Sequence, residues 1–125
     1  MNVKWVTGEL DFSEETIKWA SDFGAKLSDS SDKFNPAMTT SQIRKFFGEV
    51  KRIHADFEVN KLDVPLLAAK LAYAVGRKPT KKMKEFYDEF LPAISASINS
   101  QANYDRFVKL LESTVAFHKF HGGKD

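Results

Sequence analysis

Four cations in one short stretch carry the strongest chemical signal of this sequence: Arg44, Lys45, Lys51 and Arg52, within Thr40-Ser41-Gln42-Ile43-Arg44-Lys45-Phe46-Phe47-Gly48-Glu49-Val50-Lys51-Arg52-Ile53. At about 100° per residue a helix gathers them on one side. The opposite side carries an apolar stripe of Ile43, Phe46, Phe47, Val50, Ile53 and Phe57. Gly48 and Ala55 fall inside the basic arc, with Glu49 and Asp56 at its edge. A glycine in mid-helix costs about 1 kcal/mol against alanine, so the bare position asks for a reason. Cations at one-turn intervals with little bulk between them let a phosphate backbone come close. The same surface also suits a neighbouring helix or plain solvation, because basic helix faces are common in proteins that bind no nucleic acid. On the residues alone both readings stand.

Two more basic groups deserve the same scrutiny. In Arg77-Lys78-Pro79-Thr80-Lys81-Lys82-Met83-Lys84, three lysines crowd the first turn of a helix. The helix dipole disfavours cations there by a few tenths of a kcal/mol each. Placement against local preference points toward function, yet an exposed loop tolerates such charges cheaply. The third group is His118-Lys119-Phe120-His121-Gly122-Gly123-Lys124. A helix end followed by two glycines brings backbone near a ligand, and a ring beside Lys119 and Lys124 suits base stacking or phosphate contact. The helical wheel sets His118 in the apolar stripe, where a packed ring with one hydrogen bond is the commoner state. Phe120 falls outside that stripe, as an aromatic contact or part of a subunit interface.

Enzyme chemistry finds little support. The chain has no cysteine, which removes thiol nucleophiles, disulfides and Cys-ligated zinc together. His118 and His121 are three apart, but no carboxylate or third histidine sits at supporting spacing, so no metal and no cofactor is expected. Phosphate-cradling glycine loops, G-x-S-x-G and H-E-x-x-H are absent. Glu85, Asp88 and Glu89 alternate with lysines in a helical ion-pair pattern. No catalytic residue is assigned.

The elements that must position these groups are all helical. Apolar residues follow a period near 3.6 almost everywhere, with no period-two alternation. A first helix is predicted from Asp11 or Ser13, turning Ile17, Ala20 and Leu27 inward and ending in the polar run 28–33; Asn35-Pro36 then breaks the chain. Thr39 and Gln42 have capping-box spacing at the start of the second helix. A third starts near Asp63 with Pro65 in its first turn and ends at Gly76. Leu66, Leu67, Ala68, Ala69, Leu71, Ala72, Ala74 and Val75 surround it, predicting the central, most buried helix. Thr80 caps a fourth, with a kink expected at Pro92, and Asn103 caps a fifth that Gly122 and Gly123 stop. The fold expected is an all-α compact bundle of about five helices with a buried central helix.

At 125 residues the chain is read as a single helical domain, large enough for one core without staples. The net charge of +2 conceals an asymmetry. Residues 1–36 hold four Lys and seven Asp or Glu, a balance of −3, and are read as an acidic helix or loosely attached arm. Residues 37–125 hold fifteen basic and ten acidic residues, +5, and are read as the basic helical core. No apolar run is long enough to span a bilayer and no signal-like segment follows Met1, so a soluble, cytoplasmic protein with no membrane partner is expected.

Four pieces in this order, Ser41-Gln42-Ile43-Arg44-Lys45-Phe46-Phe47, Lys51-Arg52-Ile53, Leu71-Ala72-Tyr73-Ala74-Val75-Gly76-Arg77 and Val115-Ala116-Phe117-His118-Lys119-Phe120-His121-Gly122-Gly123, carry a family likeness. With their spacing they make residues 39–124 resemble the small helical subunit of type III-A CRISPR effector complexes. Where that family has a tyrosine-rich end, this chain has Phe117, Phe120 and His121. The resemblance implies a non-catalytic subunit of the RNA-guided complex, present in several copies, with target cleavage left to the backbone subunit. It implies single-stranded target RNA, guide RNA and the other subunits as partners, together with self-association. Arg44, Lys45, Lys51, Arg52 and Arg77 sit where the family is basic, and Lys78, Lys119 and Lys124 extend the set. Contacts of this kind hold phosphates and read no sequence. Two other classes remain open on the residues: a small helical DNA-binding regulator, and a protein-interaction module whose basic face meets an acidic partner.

Overall fold

The computed structural model describes residues 1–124. Its helices are α1 (Lys4–Thr7), α2 (Glu14–Ser28), α3 (Thr40–Ala55), α4 (Phe57–Asn60), α5 (Val64–Arg77), α6 (Lys81–Ser97) and α7 (Gln101–Phe120), with a 3₁₀ turn at Lys61–Asp63 before α5. No strand occurs among the described residues, so the fold is all-α. None of these helices is long and apolar enough to cross a membrane.

Local chemistry explains most of the boundaries. Ser13 and Thr16 form a capping box at α2, and Thr39 and Gln42 form another at α3. The second box is made by a 3.1 Å bond from Gln42 N–H to the Thr39 hydroxyl and a 2.7 Å bond from Thr39 N–H to the Gln42 side chain. Thr80 caps α6 by accepting from Met83 N–H. The cap of α7 is Ser100, which accepts from Asn103 N–H at 3.0 Å. Asn103 therefore belongs to the first turn, correcting the expected cap by three residues. Its own amide reaches back to the Ala96 carbonyl. Helix α6 continues through Pro92, which lies on its exposed side.

Helix α7 is the centre of the bundle, packing against α1, α2, α3 and α6. Tyr104, Phe107, Leu110, Leu111 and Thr114 along it are fully or almost fully enclosed. The many phenylalanines are used here. Phe86 and Phe90 lie 5.0 Å apart, Phe46 meets Phe86 edge-on at 5.7 Å, and Phe90 meets Phe107 at 6.3 Å. The Tyr104 phenol donates to the Val50 carbonyl at 2.7 Å, tying α7 to α3, and burial pushes it well above its ordinary pKa.

Helix α5 is not the central helix its composition predicts. Val64, Leu67 and Leu71 are buried against α3 and α6, whereas Leu66 and Tyr73 are exposed. It lies at the edge of the bundle, and none of the described residues covers its outer side. Ile17 also differs from expectation: it is exposed, and Phe23 with Ala20 and Leu27 makes the inner face of α2.

Residues before Thr39 are not a loosely attached arm. Trp5, Val6, Phe23 and Leu27 belong to the core cluster. The Arg106 guanidinium on α7 donates to the Val6 and Thr7 carbonyls at 2.8 and 3.0 Å, closing the end of α1. The N-terminal ammonium pairs with Glu89 on α6. Helix α2 lies along α7 so closely that a Cβ on Gly24 would stand 2.7 Å from the His118 backbone nitrogen. Only a residue without a side chain fits there. Acidity at the surface hid an apolar face that the bundle needs.

Candidate nucleic-acid interface

Helix α3 turns Ile43, Phe46, Val50 and Ile53 into the core, and this fixes where its cations go. Arg44, Lys45, Lys51 and Arg52 are all exposed. Arg44, Gly48 and Lys51 form an outward ridge, on which a Cβ at Gly48 would meet nothing within 4 Å. The bare position thus serves no packing inside the chain. Lys51 lies over the Phe47 ring at 5.4 Å, which steadies its stem at the surface.

Beside that ridge, α3, α5 and the start of α6 enclose a groove of about 860 Å³. Phe46, Leu71 and Met83 form an apolar floor, and the exposed Tyr73 ring stands on the wall. Lys45 enters it from α3, and Arg77 with Lys78 from the end of α5. Two segments far apart in sequence are brought to one place. None of Arg44, Lys45, Lys51, Arg77 and Lys78 has a carboxylate within ion-pair distance among the described residues.

Arg52 differs from its neighbours. It bonds Asp63 at 3.2 Å and Glu49 at 3.4 Å, so much of its charge is answered within the chain. Glu49 also accepts from Lys70 at 2.6 Å. The Lys70 ammonium first, and Arg52 after it, hold the Glu49 carboxyl below the usual carboxylate range. Lys70 and Tyr73 were not among the residues the sequence singled out. A helical spacing of three and four residues (Lys70, Tyr73, Arg77) is the signal that unites them on one face.

The lysines at the start of α6 do not form one patch. Lys82 is buried and donates to the Asp29 carbonyl, just past the last turn of α2, while Lys81 pairs with Glu85 at 4.0 Å. A cation that is unfavourable for its own helix is favourable at the C-terminal end of another. Structure accounts for the odd placement without a ligand.

At the tail, His118 is fully buried, and its Nε2–H donates to the Met38 carbonyl at 2.6 Å. Burial lowers its pKa, outweighing the opposing effect of the Met38 bond. His121 Nε2 shares a 3.0 Å hydrogen bond with the Ser21 hydroxyl. Each ring thus has its own neighbour. Lys119 donates to the Gly123 carbonyl at 3.2 Å, and the Lys124 carbonyl accepts from Thr40 N–H at 2.9 Å. The tail backbone therefore closes the start of α3, which brings Lys124 to the end of the helix that carries Arg44 and Lys45. Phe120 remains 78% exposed, edge-on to Phe117 and His121.

A second hollow, of about 390 Å³, lies between α2 and α6 and is lined by Asp22, Glu85, Asp88 and Glu89 with Lys26. Its carboxylates repel a polyanion, so the groove beside α3 is the stronger site for one.

Comparison with known proteins gives the chain a family. The profile of the family described as Csm2 Type III-A matches residues 13–124. The chain is also 31% identical over 104 residues to the CRISPR system Cms protein Csm2 of Streptococcus thermophilus, covering 79% of this chain and 85% of that relative. No solved structure matches it. The match begins at residue 13, so it takes in α2, which the resemblance legible from the sequence did not reach.

Proposed function

The chain belongs to the type III-A Csm2 family, small subunits of the type III-A CRISPR effector complex, and from that premise we propose that it holds RNA by its phosphate backbone along α3 and the α3–α5 groove. One observation supports this above all others. Lys45, Arg77 and Lys78, drawn from two helices, line a single groove without carboxylate partners among the described residues. Unanswered cations around a concave surface attract a polyanion and release its counterions on contact. Arg44 and Lys51 continue the same surface along the ridge, and Lys119 and Lys124 extend it at the tail.

In this reading the protein is a non-catalytic subunit of an antiviral, cytoplasmic complex. It contacts single-stranded target RNA and guide RNA without sequence preference, leaving sequence to base pairing. It also meets neighbouring subunits, for which exposed apolar residues are available. Membership in a subunit family disfavours the free-standing DNA-binding regulator.

The test is the affinity for unstructured single-stranded RNA across a salt series, with duplex DNA alongside. Each phosphate contact contributes about −0.7 to the slope of log affinity against log salt for a single strand, so three to five contacts predict roughly −2 to −3.5. Absence of binding at low salt, or a base-specific preference for duplex DNA, contradicts the reading.

A further inference from the structure

The tail closes over two polar groups and leaves both without partners. Helix α7 stops at Phe120, and Gly122, with φ at +100° in the left-handed region, turns the backbone back. Gly123 N–H then donates to the His118 carbonyl at 2.9 Å, and the Lys124 carbonyl accepts from Thr40 N–H at 2.9 Å. His118 and Thr40 are both buried, yet His118 Nδ1 and the Thr40 hydroxyl have no hydrogen-bond partner among the described residues. A polar group enclosed without a partner opposes the closure that enclosed it.

The ring is enclosed in one protonation state. Its Nε2–H donates to the Met38 carbonyl, which leaves Nδ1 as the nitrogen with the free lone pair. Gly123 lies so close to that edge that a Cβ on it would overlap Nδ1 and Cε1. We infer that Gly122 to Lys124 form a strap that opens in acid, because Nδ1 takes up a proton only when Gly123 has moved off the ring. In the closed state the new N–H would find no acceptor and the new charge no counter-ion. Lys119 on α7 and Lys124 on the strap are cations, as are the exposed Arg44 and Lys45 of α3. On α2, flanking Gly24, Asp22 is paired with Lys18 and Lys26 with Glu85. In the loop before Met38, Asp29 accepts from Ser31 N–H and Asp32 from Phe34 N–H. No carboxylate among the described residues lies within ion-pair distance of His118. Burial accordingly holds the closed ring below its ordinary pKa. Closure is therefore fully favoured above about pH 6.5 and weakens below it. For a ring that stays neutral while closed, the opening equilibrium rises about tenfold by pH 5.5 and about thirtyfold by pH 5. Opening frees the first amide of α3 whether or not that helix holds RNA, so the strap does not depend on the RNA reading.

The test is native-state hydrogen exchange of the full chain, read at the Thr40 amide, whose acceptor lies on the strap. Corrected for intrinsic rates, its protection is expected to fall about thirtyfold from pH 8 to pH 5. Low urea is expected to leave Thr40 exchange unchanged while accelerating that of Phe90 in the core of α6, the mark of a local opening. Gly123→Ala is expected to remove Thr40 protection at pH 8 with an unchanged helical circular dichroism spectrum, and His118→Gln to remove the pH dependence. Equal Thr40 protection at pH 8 and pH 5 overturns the proposal. So does a pH dependence that survives His118→Gln, or a Thr40 amide as sensitive to urea as Phe90. A strap that stays closed in Gly123→Ala overturns it too, since Gly123 would then not seal the ring.

Discussion

The seam between α2 and α7 and the groove between α3 and α5 are each made from two helices of one bundle, yet they are built to opposite ends. At the seam, Gly24 lets the two backbones nearly touch, and His118 is enclosed with its Nε2–H satisfied. Ser28, also buried, closes it with hydrogen bonds to the Ala25 and His121 carbonyls. At the groove, the helices stand apart over an apolar floor, and Lys45, Arg77 and Lys78 have no carboxylate within ion-pair distance among the described residues, the groove's Glu49 being paired with Lys70 and Arg52. A closed seam, in which His118 Nδ1 is buried without a partner and out of reach of solvent, offers a ligand no surface. An open groove with surplus charge is where binding energy remains to be gained. With the proposed RNA site at the groove, stability and recognition occupy different helix pairs, and substitutions should separate them.

The largest expected effect belongs to the core that both pairs share. Phe107→Ala removes a fully buried ring from α7 and should lower stability by about 4 kcal/mol in chemical denaturation. A cost below about 1 kcal/mol would mean that α7 is not the centre of the bundle. Gly24→Ala comes next. Overpacking against the α7 backbone costs about 1–3 kcal/mol, while alanine gains about 1 kcal/mol of helix propensity, so a net loss of up to about 2 kcal/mol is expected. A stabilised variant would show that the seam is looser than its geometry.

At the groove the readout reverses. Arg44→Glu with Lys45→Glu should weaken RNA binding at least tenfold, about 1.4 kcal/mol, while leaving the unfolding midpoint nearly unchanged, because both positions are exposed. Smaller again is the pH dependence of the seam. Burial holds the His118 pKa below its value in the unfolded chain, so the unfolded state binds the proton more readily. Stability should therefore be full above about pH 6.5 and fall as pH drops below it. Thermal unfolding at a series of pH values should show this fall in the wild type and a reduced one in His118→Gln. Smallest is Arg52→Gln. Asp63 and Glu49 already answer that charge, so RNA affinity should change about twofold or less, well below the effect at Lys45.

Much of this division was legible before any coordinates. Thr39 with Gln42 and the spacing of Ile43, Phe46 and Val50 are local signals, and local signals fix a helix and its inner face. Once that face is known, Arg44, Lys45, Lys51 and Arg52 must point outward. What lay beyond the sequence depends on contacts between distant segments. That Arg52 is answered and Lys45 is not follows from where Asp63 falls. Lys82 looked like part of a surface patch because its partner, the Asp29 carbonyl, lies 53 residues away in sequence. The acidic start of the chain looked separable because composition registers its carboxylates but not its fit to α7 through Gly24. Helix α5 failed for a different reason. Its composition reports how much apolar surface it has, and no rule within one chain says what must cover it.

The most direct test compares charge reversal at the groove with the same change elsewhere. RNA affinity and its salt slope should be measured for Arg44→Glu with Lys45→Glu, both exposed on α3, and for Lys18→Glu with Lys84→Glu, exposed on α2 and α6. Both variants change net charge equally, so a general electrostatic effect would weaken both alike. A site at the groove predicts that the first pair loses at least tenfold in affinity and about 1.4 units of slope, with the second close to wild type. Equal losses in the two variants would contradict a defined RNA site on α3.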